Sequence, residues 1–115
     1  LHNLGKDIVG ALLRAAGYDV HDLGVDVAAG KFLESVKVRH PDVLGMSTLL
    51  TSALFVQREL VTGLKQAGLR KDVRVIIGGA ASSKNWANEI GVDDFAESAS
   101  EGVKKIEKLV AGSAN

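Results

Sequence analysis

Apolar positions along this chain alternate between two periods, and the alternation predicts a repeating helix–strand order. Residues 6–16 carry Ile8, Val9, Leu12, Leu13 and Ala16 at spacings of three and four, which is one face of a helix, and Gly17 follows as a C-terminal stop. Tyr18 to Leu23 reads as a short strand with Tyr18, Val20 and Leu23 as its apolar members. Val27 to Arg39 is a second helix, turning Phe32, Leu33 and Val36 inward, and His40-Pro41-Asp42 breaks it because a residue before proline avoids the helical region. Val43 to Ser47 is a short, near-continuous apolar run, the pattern of a strand covered on both faces. Residues 53–67 form a third helix with Leu54, Val56, Leu60, Val61 and Leu64 buried, and Gly68 closes it. Val73 to Ile77 is another buried strand, ended by Gly78-Gly79. A short helix over 83–90, a strand from Val92 to Ala96 and a last helix from Ser100 to Val110 complete the chain, with Ser100 as the expected N-cap.

This order predicts an α/β fold: a Rossmann-like, flavodoxin-like, doubly wound parallel sheet with helices on both faces. The chain opens in a loop that leads into a helix, so the strand expected before that helix is missing. In a sheet of order 2-1-3-4-5 that strand is central. The expectation is therefore that residues 1–115 are one domain truncated at its start, with a further strand and another domain upstream.

Composition narrows the function without choosing it. The 115 residues are 46% hydrophobic, enough for one core, and the formal net charge is zero, so no basic field points to nucleic acid. No apolar run reaches the roughly 18 residues of a spanning helix, and no signal peptide is visible, so no membrane role is expected. The absence of cysteine rules out disulfides and thiolate metal sites and agrees with a reducing compartment, here the cytoplasm. Of the thirteen glycines, several, Gly17, Gly68 and Gly78-Gly79 among them, sit at predicted element ends, which suits tight turns between elements rather than disorder.

Three short motifs carry the candidate chemistry: His2-Asn3-Leu4-Gly5, Ser47-Thr48-Leu49 and Gly78-Gly79. Each follows a predicted parallel strand, at the sheet edge where open α/β folds bind ligands. A neutral imidazole is a good metal ligand, and a glycine three residues on lets backbone approach a large planar group. Alone, His2 reads as a solvated side chain, Ser47 as a helix cap and Gly78-Gly79 as a plain turn. Capping by Ser47 is the weaker reading, because Thr51 and Ser52 lie nearer the helix start. Convergence of the three motifs on one rim favours a bulky ligand. His21 and His40 read as surface residues, Asp93-Asp94 as a solvated turn, and Trp86 as packed on the sheet edge. No catalytic dyad, histidine pair or Gly-x-Gly-x-x-Gly appears, so no residue is put forward as catalytic.

Together the motifs resemble the signature Asp-x-His-x-x-Gly … Ser-x-Leu … Gly-Gly of the cobalamin-binding domain of corrinoid proteins and methionine synthase, and the resemblance covers nearly the whole chain. It implies cobalamin as cofactor, bound with its nucleotide tail released from cobalt and inserted into the sheet. By the same resemblance His2 is the axial cobalt ligand, Ser47, Leu49 and Thr51 line the tail tunnel, Gly78 and Gly79 shape its floor, and Ala99 meets the tail end. Asn3, Leu4, Gly5, Ile8, Leu50 and Ala80 are further implied cofactor contacts. The motif's aspartate would precede residue 1, and Asn3 stands where many relatives carry aspartate. The implied role is a corrinoid carrier that shuttles a methyl group from a substrate-specific methyltransferase to a second one with a folate or thiol acceptor, with a reductive activase as a further partner. An upstream helical cap would go with that role. The alternatives are the small cobalamin-binding subunit of an adenosylcobalamin mutase and a cobalamin-sensing regulator. A flavodoxin-like response module is a fourth reading, but its acidic cluster and phospho-acceptor aspartate are not evident.

Overall fold

The computed structural model describes residues 4–23, 27–48 and 51–113. Helix α1 spans Leu4–Ala15 and α2 spans Ala29–Arg39. Strand β1 (Val43–Ser47) leads through a 3₁₀ turn at Thr51–Ala53 into α3 (Leu54–Gln66). A second 3₁₀ turn, Arg70–Asp72, precedes β2 (Arg74–Gly78), which is followed by α4 (Lys84–Ile90), β3 (Asp94–Ala96) and α5 (Ala99–Ser113). The three strands form one parallel sheet in the order β1-β2-β3.

Faces of the sheet follow from side-chain alternation. Met46, Val75 and Ile77 point to one face, where they join Val36 of α2, Leu60, Val61 and Leu64 of α3, and Ala87 and Ile90 of α4 in a single buried cluster. Leu60, Leu64, Val73, Val75 and Ile77 are almost wholly removed from water. On the other face α5 lies over β2 and β3, and α1 packs on α5. Gly102 marks that seam, since a Cβ there would come within 3.5 Å of Val9 and 3.6 Å of Ala96.

Three expectations are corrected. Residues 18–23 form no strand, because backbone groups become a strand only against a partner ladder and none lies beside them among the described residues. Side chains hold the segment instead: Lys6 bridges Asp22 at 2.7 Å, and Arg39 contacts His21 Nδ1 at 2.8 Å. Asp93-Asp94 is not a solvated turn. Asp93 Oδ2 accepts from Val75 N at 2.7 Å and from Arg70 Nη2 at 3.1 Å, locking the start of β2 to the start of β3. Asp94 pairs with Lys105 of α5 at 3.2 Å, and Lys105 also donates to the carbonyl of Phe95 in the edge strand β3. Finally, Ser98 rather than Ser100 caps α5, accepting from Glu101 N at 3.2 Å.

Candidate functional site

Strand register brings the C-terminal strand ends together. Ser47 pairs with Gly78, and Gly78 with Ala96, so these three residues form one row on the face that carries α1 and α5. The row behind it is Gly45, Ile76 and Asp94. Gly45 and Ser47 are both exposed. Among the described residues, a Cβ on Gly45 would meet only Ile76 Cγ2, at 3.7 Å. A side chain at Gly78 would press to 3.1 Å from the carbonyl of Ala96. Among the described residues this face therefore has an open furrow at Gly45 and Ser47 of β1, while Ala96 is buried beneath α5.

The loops after β1 and β2 are tied to each other at the rim. Thr48 N donates to Gly78 O and Ala81 N donates to Thr48 O, each at 3.2 Å. Gly79 has φ +96, and a Cβ there would fall 2.2 Å from Thr48 O and 2.6 Å from Thr48 N. Only glycine permits both that backbone conformation and that approach. What fills the space beside Gly79 is thus the Thr48 backbone.

Side chains support the same junction from behind. Gln57 on α3 is only 2% exposed. Trp86 Nε1 donates to Gln57 Oε1 at 2.9 Å, and Gln57 lies 3.4 Å from the buried hydroxyl of Ser82. Ser83 caps α4 by accepting from Trp86 N at 3.0 Å. Arg58 stacks on the Trp86 ring at 4.8 Å and pairs with Glu89. Sequence reasoning missed Gln57. The available signal was its register, since 57, 60, 61 and 64 share one helical face.

Of the residues put forward from the sequence, His2, Asn3, Leu49 and Leu50 lie outside the described residues. Leu4 and Gly5 open α1. Ile8 is 41% exposed on that helix. Ser47, Thr51, Gly78, Gly79, Ala80 and Ala99 all lie at the C-terminal rim, with Thr51 and Ala80 exposed and Ala99 half-buried as the first residue of α5. His21 pairs with Asp19 and Arg39, and His40 is an exposed C-cap with φ 49. Among the described residues no group of three or more His, Cys, Asp or Glu could hold a metal, and no helix is long and apolar enough to cross a membrane.

The sequence profile described as B12 binding domain matches residues 1–104. The chain belongs to this family. Its cofactor is cobalamin, and the expected corrinoid resemblance and doubly wound fold both hold. The domain is similar to dimethylamine corrinoid protein 1 of Methanosarcina acetivorans, with 45% identity over 96% of this chain and 52% of that protein. Among solved structures it is similar to a cobalamin-binding protein from Desulfitobacterium hafniense DCB-2, with a TM-score of 0.90, 41% identity, and 95% and 53% of the two chains covered. It is also similar to a chain of the methanol:cobalamin methyltransferase complex MtaBC from Methanosarcina barkeri, with a TM-score of 0.88, 32% identity, and 96% and 42% covered. The chain spans about half the length of such relatives.

The rim fits the cofactor. A corrinoid carries a bulky tail, and the furrow beside Gly45 is a place where a Cβ would meet little but Ile76. Ser47 offers a hydroxyl at the furrow's mouth, and its own row continues through Gly78 and Ala96.

Proposed function

We propose that this B12-binding domain is the corrinoid-carrying part of a methyl-transfer protein, that it binds cobalamin with the lower base off cobalt, and that His2 is the axial ligand. The observation that supports this reading most is the row Ser47, Gly78 and Ala96, which offers small side chains at a sheet edge open beside β1. When bound, the corrinoid supplies a cobalt centre able to take up and release a methyl group. The protein's own work is to seat and orient it. Gly45 leaves room for the tail, the Thr48–Gly79 junction fixes the distance between the two loops, and Ser47 can hydrogen-bond a polar atom of the tail. His2 precedes α1 by two residues in sequence and must be neutral to serve as a ligand.

Partners in this reading are a substrate-specific methyltransferase and a second methyltransferase with a folate or thiol acceptor, with a reductive activase to restore the cofactor. Similarity to a dimethylamine corrinoid protein favours this carrier role over a mutase subunit or a sensor. Among the described residues β1 pairs only with β2, which supports a further strand laid along its outer edge. The reading is tested by an ultraviolet-visible titration with hydroxocobalamin, run beside a His2→Ala variant. A stable complex whose spectrum changes in the variant is expected. Failure of a folded protein to bind would refute the reading.

A further inference from the structure

Gln57 is a buried amide, 2% exposed, on a helix face otherwise filled by Leu60, Val61 and Leu64. A buried polar group is tolerated only when it is hydrogen-bonded, so its partners reveal what it holds. Those partners belong to other elements: Ser82 in the loop after β2, and Trp86 in the second half-turn of α4. Ser82 N in turn donates to Gly79 O at 3.1 Å, so the hydroxyl that meets Gln57 sits in the same tight turn as Gly79. Gln57 itself lies on the helix that follows the Ser47–Thr51 loop. One side chain thus connects the element after the first rim loop to the second rim loop, parallel to the backbone bonds between Thr48 and Gly78–Ala81.

We infer that Gln57 is a positioning residue for corrinoid binding: through Ser82 and Trp86 it sets the spacing of the two loops that would flank the cofactor's tail. This rests on the corrinoid reading proposed above. Gln57 does not reach the furrow. It acts by denying the Gly79–Ser83 turn the freedom to slide against Thr48, and a tail can be seated only if that turn holds its place. The arrangement predicts a selective defect. A corrinoid with a nucleotide tail depends on the loop spacing, whereas one without a tail does not.

The test compares hydroxocobalamin with cobinamide, which lacks the nucleotide tail, in wild-type protein and in Gln57→Leu, Gln57→Glu and Ser82→Ala variants. Each binding curve is read from the absorbance of the corrinoid, with circular dichroism to establish folding. Gln57→Leu removes both bonds and should weaken hydroxocobalamin binding about tenfold while leaving cobinamide binding unchanged. Gln57→Glu keeps an acceptor for the Trp86 and Ser82 donors and should recover most of the loss. Ser82→Ala, which leaves the Trp86 bond intact, should show a smaller loss with the same selectivity. If both truncations left the ratio of the two affinities at its wild-type value, whether by sparing both ligands or by weakening both equally, the assignment would be overturned. Wild-type protein that bound neither corrinoid would instead overturn the corrinoid reading itself.

Discussion

Gly79→Ala is the substitution whose cost the structure defines most closely. Two effects add. Alanine at φ +96 is strained by about 1–2 kcal/mol, since its Cβ crowds the following carbonyl. The Cβ also falls 2.2 Å from Thr48 O and 2.9 Å from Thr48 C, so the two loops must separate. Separation breaks the Thr48–Gly78 and Ala81–Thr48 bonds, each worth about 1 kcal/mol. The sum is roughly 3–4 kcal/mol, a large part of the usual stability of a small domain. Gly68→Ala is the matched control: Gly68 also has a positive φ, +74, but a Cβ there has nothing within 4 Å. It should lose only the strain. Urea denaturation of both variants and wild type measures the difference. With a slope of about 2 kcal/mol per molar, the Gly79 variant should unfold roughly 1 M earlier than the Gly68 variant. Equal midpoints would refute the view that close approach of the Thr48 backbone, rather than backbone conformation alone, requires glycine at 79.

Two further outcomes follow from the sheet's other end and its edge. Asp93→Ala leaves the buried Val75 N without its acceptor and Arg70 without its carboxylate, so chemical denaturation should report a loss of about 1–3 kcal/mol. Lys105 has a pKa raised above the ordinary lysine value, first by its hydrogen bond to Glu101, with Asp94 adding to it against the cost of burial. A raised folded value means that its contribution is fully present below the unfolded lysine pKa and is lost as pH rises through the folded one. Thermal melts between pH 9 and pH 12 should therefore show an alkaline loss of stability that Lys105→Met flattens, and an unchanged slope in that variant would contradict the assignment.

Much of this domain was legible because its apolar runs are short and sharply bounded. Strand β1 has the predicted limits, and β2 is displaced by one residue. What stayed hidden depends on partners distant in sequence. Tyr18, Val20 and Leu23 have strand-forming side chains, but a strand is a relation between two segments, and no partner strand lies beside them among the described residues. Ile8 and Leu12 have the spacing of an inward face, yet they stay 41% and 47% exposed while Leu13 is buried, because α1 rests on α5 through the adjacent stripe. Gln57 is polar but shares the register of the inward Leu60, Val61 and Leu64, and only the fold brings Ser82 and Trp86 to it. The rim motifs were legible as positions but not as geometry. The resemblance has Gly79 shape the floor of the tail tunnel, and the structure fills the space beside it with the backbone of Thr48.

The lysine that reaches from α5 to the carbonyl of Phe95 has a consequence for how this sheet meets other chains. An uncovered strand invites any extended peptide to stack against it, and proteins commonly blunt such a strand with a charge or by keeping it short. Here β3 is only three residues long, and its carbonyl is engaged from within the molecule. Recruitment of a foreign strand is thereby discouraged at one margin of the sheet. A domain whose other margin takes a further strand, as proposed above, gains from this asymmetry: intrusive pairing, the first step toward aggregates, is hindered at the margin that such a strand does not cover.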